Sequence, residues 1–277
     1  MGSLDGRVAL ITGAARGQGR SHAELLAENG ADIIGLDICS QFDTVHYPMS
    51  TADDLEETVR LVEKTGRRMV AVEADVRDLS AMQSAVSQGL RTFGRLDIVL
   101  ANAGIMAHAL PGITLEESAR AWRDSVDVML TGVWNTLQAT VPVLIEQSEG
   151  GAVVITSSSA GLRAQPTDRL GGTDGYYAAK FGVVGLMLAY ACSLGEYNIR
   201  VNSVHPTGVS TPMVINDFFP QYLEANPRIA ANMVNSLPVP TIEPSDVSEA
   251  ILYLVSDSGR YVSGSTLSVD AGMTALN

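Results

Sequence analysis

Short, continuous apolar runs alternate along this chain with longer segments whose apolar residues recur at helical spacing. The first run, VALIT at 8–12, ends in glycines and reads as a buried strand. Residues 19–29 follow, with Ala23, Leu25, Leu26 and Ala27 in a helical pattern and Gly30 as a natural stop. The same reading predicts strands at 32–37, 68–73, 96–101, 152–156, 200–204 and 266–269. It predicts helices at 53–65, 79–93, 176–194 and 245–255. A long helical pattern covers 116–147, with room for an interruption before Pro142. Three segments break the rhythm. Residues 38–52 form an inserted loop ending in a Ser50/Thr51 helix cap, 162–175 are irregular, and 206–243 read as a long loop or helical lid.

Strands alternating with helices imply crossover connections, and hence a parallel sheet covered on both faces. The expected fold class is therefore α/β, doubly wound. No repeat, low-complexity segment or linker divides the 277 residues, so a single domain over 1–277 is expected to carry both binding and catalysis.

Composition narrows the partners. Apolar residues make up 46% of the chain and charged residues only 18%, which suits a large core and not a disordered chain. A net charge of −13 repels phosphate backbones, so no nucleic acid partner is expected. One dinucleotide remains possible, because backbone N–H groups and a helix N-terminus can bind it. Cys39 and Cys192 are too few for a disulfide scaffold and sit in no CxxC pair; two free thiols in a reducing compartment are expected. The first residues hold no hydrophobic leader, which adds to a cytoplasmic expectation. The most apolar stretch, 181–194, reads as too short to span a bilayer and contains glycines and a serine, so no membrane association is expected. His108 and His205 have no second ligand at a zinc spacing; structural roles and no metal follow.

The candidate chemistry starts after the first strand. Gly13, Gly17 and Gly19 stand in a GxxxGxG loop with Arg16 and Gln18, at the entry to the first helix. Such glycines permit a tight turn and close backbone approach, and the helix N-terminus then faces a pyrophosphate. Asp37 ends the second strand, twenty residues past Gly17, where a carboxylate accepts hydrogen bonds from adenosine ribose hydroxyls and repels a 2′-phosphate. Arg16 argues for the phosphorylated cofactor, but it is free to swing into solvent, so Asp37 decides for NAD. With this loop in place the fold expectation becomes a Rossmann-type domain. Tyr176 and Lys180 stand four apart, on one face near the start of a helix. A Lys ammonium about 5 Å from a phenol contributes roughly 3 kcal/mol at an effective dielectric near 20. That would lower the Tyr pKa towards the range of a general acid/base. Ser158 closes the preceding strand, where its hydroxyl can reach the reacting oxygen.

These residues, with Asp75-Val76, Asn102-Ala103-Gly104, the 206–211 segment PTGVST and the 269–272 segment VDAG, resemble the short-chain dehydrogenase/reductase family along essentially the whole chain. The resemblance implies Tyr176 as acid/base, Lys180 as its partner and holder of the nicotinamide ribose, and Ser158 as the substrate-orienting hydroxyl. It implies that Asp75 and Val76 flank the adenine, with Ile38 beside it, that Asn102, Ala103 and Gly104 line the cofactor, and that Val209 and Thr211 hold the carboxamide. More narrowly, GQGRSH at 17–22, the insert after Asp37 and the long Ser158–Tyr176 spacing resemble carveol-dehydrogenase-like enzymes of actinobacteria, a branch associated with mycofactocin and tightly retained nicotinamide. Such an enzyme would use an external redox partner, and the 38–52 insert, starting beside the ribose, would cover the adenosine half of NAD. The resemblance also implies a homotetramer, with the apolar helix faces near 133–145 and 183–192 paired across subunits.

Ile105, Met106, Leu162, Met213 and Phe218 are the expected substrate contacts, an apolar set suited to an uncharged secondary alcohol or ketone such as a terpenoid. Two positions depart from the family pattern. Met129 stands where the family has Asn supporting a proton relay, and a thioether cannot replace an amide. Thr207 stands where Gly is common. Met129 leaves a second reading open, an NAD-binding regulatory protein with impaired turnover.

Overall fold

In a computed structural model that describes residues 2–275, seven parallel strands form one sheet. They are β1 (Val8–Thr12), β2 (Asp32–Asp37), β3 (Met69–Glu73), β4 (Ile98–Ala101), β5 (Gly151–Thr156), β6 (Ile199–Pro206) and β7 (Thr266–Val269). Their spatial order is β3-β2-β1-β4-β5-β6-β7. Every residue of β1 and β2 is buried, as strands covered on both faces must be, and this is why they read as unbroken apolar runs. One face carries α1 (Gly17–Glu28), α2 (Ala52–Lys64) and α9 (Pro244–Val255), whose Ala23, Leu26, Val62 and Ile251 pack with Ile11 and Ile33. The other carries α3 (Leu79–Phe93), α4 (Leu115–Val126), α5 (Gly132–Gln147) and α6 (Gly171–Leu194), packed through Met82, Leu137, Val183 and Met187. Two short helices, α7 (Phe218–Ala225) and α8 (Pro227–Ala230), lie in the predicted lid segment. The strand order reverses direction between β1 and β4. A crevice opens there beyond the C-terminal strand ends, where ligands of doubly wound sheets sit.

The long helical pattern is interrupted earlier than predicted. A π-helical turn, Asp127–Thr131, separates α4 from α5, with Gly132 N–H donating to the Asp127 carbonyl, while Pro142 lies inside an unbroken α5. Helix α6 also begins five residues before the predicted start. Its glycines mislead as a loop signal: a Cβ at Gly172 would overlap the Ala107 carbonyl, and one at Gly175 would lie 2.9 Å from Ser125 Cβ. They let α6 approach α4 closely, and Ser125 Oγ donates to the Gly172 carbonyl across that contact. This helix is thus longer than the sequence reading allowed. By length and composition alone, Leu115–Gln147 and Gly171–Tyr197 could each cross a membrane, yet here both lie along the sheet face and α4 packs on α6.

Candidate active site

Glycines build the floor of the crevice. A Cβ on Gly19 would overlap the carbonyl oxygen of Gly13, so no larger residue fits the turn from β1 into α1. Unlike α2 and α4, whose first turns are closed by Thr51–Asp54 and Thr114–Glu117 capping boxes, α1 has no side-chain cap and no acidic residue in its first turn. Its free N–H groups and dipole are therefore left to attract an anion. This cradle fits a pyrophosphate.

Asp37 lies at the same end, buried, with Oδ2 accepting from Ala15 N–H (2.9 Å) and Oδ1 from Ser50 Oγ (2.6 Å) and Cys39 N–H (3.2 Å). Two carboxylate oxygens retain lone-pair capacity beyond these bonds. Arg16 does not swing into solvent. Its guanidinium donates to the Pro48 carbonyl (2.6 Å) and lies 6.0 Å from the Tyr47 ring centroid. The insert is likewise no open loop: Phe42, Val45 and Tyr47 are buried, Thr44 Oγ1 donates to Asp124 (2.6 Å), and Tyr47 Oη accepts from Met106 N–H (3.2 Å). Phe42, Tyr47, Met49 and Ser50 thus line the cavity, contacts no family motif marked.

Asn102 ties the strand ends together. Its Nδ2 donates to the Thr12 carbonyl (3.0 Å) and its Oδ1 accepts from Thr156 Oγ1 (3.2 Å), so β1, β4 and β5 are fixed beneath the site. Ser158 follows β5 in extended backbone, its Oγ accepting from Ala160 N–H (3.1 Å). His205 is fully buried and bonded through Nδ1 to the Ser158 carbonyl (2.8 Å) and through Nε2 to Ser203 Oγ (2.8 Å). The structural histidine of the sequence reading therefore holds the Ser158 backbone. Lys180 is buried, donates to the Thr156 carbonyl (2.9 Å), and has its Nζ 5.6 Å from the Tyr176 ring centroid.

The expected lowering of Tyr176 by Lys180 does not occur here. Burial raises the phenol above its usual value, and the hydrogen bond with Ser158 offsets only part of that. Burial also lowers Lys180 to about 8. Desolvation opposes the charged form of both groups, and the ammonium is already engaged by a backbone carbonyl.

One cavity is lined by Gly13, Arg16, Gly17, Gln18, Gly19, Asp37, Ile38, Asp75, Val76, Asn102, Ala103, Gly104, Val209 and Thr211, and by Ser158, Tyr176 and Lys180. Asp75 is ion-paired with Arg77 (2.6 Å), so its carboxylate is already engaged. Of the expected substrate contacts, Ile105, Met106 and Met213 line the cavity. Leu162 and Phe218 do not: Leu162 is 37% exposed, and Phe218 lies tilted against His46 at 4.8 Å and stacks on Tyr222 at 6.3 Å, leaving the adjacent Phe219 to face the site. Met129 lines the cavity inside the π-helical turn. A Cβ on Gly104 would lie 3.7 Å from its Sδ and 3.8 Å from Lys180 Nζ, so thioether and ammonium flank the same glycine. Thr207 Oγ1 donates to Asn235 (2.7 Å), a tie into the lid that glycine could not make.

Residues 13–274 match a family model described as enoyl-(acyl carrier protein) reductase. The (−)-trans-carveol dehydrogenase of Rhodococcus erythropolis is 45% identical over 99% of both chains. A crystal structure of carveol dehydrogenase from Mycobacterium avium in complex with NAD superposes with a TM-score of 0.90 at 46% identity, covering 100% of both chains. A short chain dehydrogenase from Mycobacterium paratuberculosis, bound to NAD, gives 0.90 at 43% identity, over 99% of this chain and 100% of the other. The chain belongs to the short-chain dehydrogenase/reductase family. As a member of this family it is an oxidoreductase acting on alcohol groups, and its Rossmann-like sheet matches that of its solved neighbours. Among the described residues no three His, Cys, Asp or Glu side chains cluster as a metal site.

Proposed function

We propose that this enzyme moves a hydride between NAD(H) and a hydrophobic secondary alcohol or its ketone, of terpenoid, carveol-like type. The observation that carries this reading is the convergence, in one cavity, of an uncapped helix N-terminus on a glycine floor with Ser158, Tyr176 and Lys180. Asp37 supports NAD over its 2′-phosphorylated form, since a buried carboxylate beside the ribose site repels the added phosphate. The NAD-bound carveol dehydrogenase relative supports the same choice.

When bound, nicotinamide supplies the hydride donor or acceptor. The chain's residues handle the rest. In alcohol oxidation the carbinol carbon loses a hydride and its hydroxyl proton passes to Tyr176; in reduction the phenol gives that proton back to the carbonyl oxygen. Burial raises the pKa of Tyr176 and so favours the phenol, the form that donates in reduction, whereas accepting the proton in oxidation requires the phenolate, which higher pH supplies. Ser158 Oγ orients the substrate oxygen. Lys180, anchored on Thr156, holds the nicotinamide ribose. The apolar wall of Ile105, Met106, Met213 and Phe219 favours an uncharged ring or chain.

The test is a hydride-transfer assay on purified protein with cyclic and aliphatic secondary alcohols, supplying NAD, NADP or an artificial redox dye. Turnover of cyclic secondary alcohols is expected, with NAD bound at least about tenfold more tightly than NADP. A protein that binds NAD yet turns over no alcohol or ketone under any of these conditions would overturn the proposal.

A further inference from the structure

The apolar substrate end of the cavity carries a polar cluster that the reaction above does not use: His108, Thr173 and Tyr222, backed by Asp168. Proton counting fixes what this cluster presents. Thr173 Oγ1 lies 2.8 Å from Asp168 Oδ2, and Tyr222 Oη lies 3.0 Å from the same oxygen. A carboxylate only accepts, and it is the strongest acceptor present, so the Thr173 proton points to it, while the Tyr222 proton is shared between it and Thr173 Oγ1, 3.1 Å away. Thr173 has no second proton. In its 3.3 Å contact with His108 Nδ1 the imidazole must therefore be the donor. Burial keeps the ring neutral, with its pKa lowered to about 3. Nδ1 then carries the only ring proton, and Nε2 is a bare lone pair.

No residue in the described structure hydrogen-bonds Nε2, and His108 forms part of the cavity wall. The ring is also held in place. It stacks on fully buried Tyr222 at 4.7 Å and meets Tyr176 edge-on at 5.9 Å, centroid to centroid. A hydrophobic ligand that covers this nitrogen without donating to it leaves an acceptor desolvated and unpaired, which costs binding.

We propose that His108 Nε2 recognises a hydrogen-bond donor on the substrate, a hydroxyl separate from the reacting carbinol, so that ring diols and hydroxyketones are preferred over simple ring alcohols. The inference rests on the dehydrogenase reading above and narrows its substrate class. Asp168 and Thr173 act as positioning residues that fix the tautomer. An ether oxygen at the same place would set lone pair against lone pair, so the site separates donors from acceptors as well as polar from apolar.

The experiment measures kcat/KM for 1,2-, 1,3- and 1,4-cyclohexanediols, their monomethyl ethers and the matching methylcyclohexanols. At least one diol should exceed its ether and methyl counterparts by about tenfold, the effect of one well-placed hydrogen bond. In His108→Phe, which keeps the stacking on Tyr222, that ratio should fall to within about twofold of one. His108→Gln restores an acceptor and should recover part of the preference, which guards against reading a folding defect as a lost contact. Diols no better than their ethers in the wild type, or a ratio unchanged in His108→Phe, would overturn the inference and leave the dehydrogenase reading standing. No turnover of any alcohol would overturn both.

Discussion

At Tyr176, burial and a hydrogen bond act on one phenol in opposite directions, and burial prevails. Substituting phenylalanine keeps the ring's packing and removes only the hydroxyl proposed to handle the proton. Tyr176→Phe should lower hydride transfer at least about 100-fold and leave the amount of bound nicotinamide nearly unchanged. Activity within a few-fold of wild type in a stopped-flow or dye-coupled assay would contradict the role given to the phenol. Residue types at their spacings marked the Gly loop, Asp37, Ser158, Tyr176 and Lys180, because each carries a requirement that few other residues meet. The same signals could not show that Lys180 is tied to the Thr156 carbonyl, nor that Arg16 docks on Pro48. Both contacts join residues far apart in sequence, through backbone carbonyls that every residue possesses. His108 is a similar case: its meaning comes from Thr173, Asp168 and Tyr222, which only the fold brings to it.

The elements show where local signals compete with packing. Glycines before Tyr176 read as a loop, yet they start α6 because α4 lies too close for side chains. Pro142 reads as a break, yet the break is the π-helical turn at Asp127–Thr131, which brings Met129 to the cavity wall. The insert after Asp37 carries its own prediction. Its Phe42, Val45 and Tyr47 are buried, and its Ser50 and Tyr47 bond Asp37 and the Met106 backbone. If the insert covers bound NAD, its apolar residues must be exposed again before release, a cost that falls mainly on the off-rate. Purified protein should then retain nicotinamide, turnover should depend on an external redox partner, and deletion of 40–49 should raise the NAD off-rate at least about tenfold. Cofactor-free protein with fast turnover on added NAD, or a deletion with unchanged off-rate, would remove the insert from this role.

At the scale of the whole molecule, the apolar surface exceeds what one sheet face requires. Trp134 on α5 and Phe181 and Leu188 on α6 are each more than 40% exposed, as is Tyr253 on α9. Such faces fit a closed homotetramer, with α5 and α6 in one interface and α9 near β7 in another. Light scattering at micromolar concentration should give four times the chain mass; a monomeric mass would contradict this. The sequence by itself determined the parallel α/β architecture, and it marked the glycine loop and the Ser158, Tyr176 and Lys180 set that one cavity brings together, because strand and helix periods and a few residue types with special requirements are written locally. The tertiary structure alone decided the direction in which burial shifts Tyr176 and Lys180, the walls built by the insert and by Met129, and the surroundings of His108. Those depend on desolvation and on hydrogen-bond partners, and both are set by which distant segments the sheet order brings together.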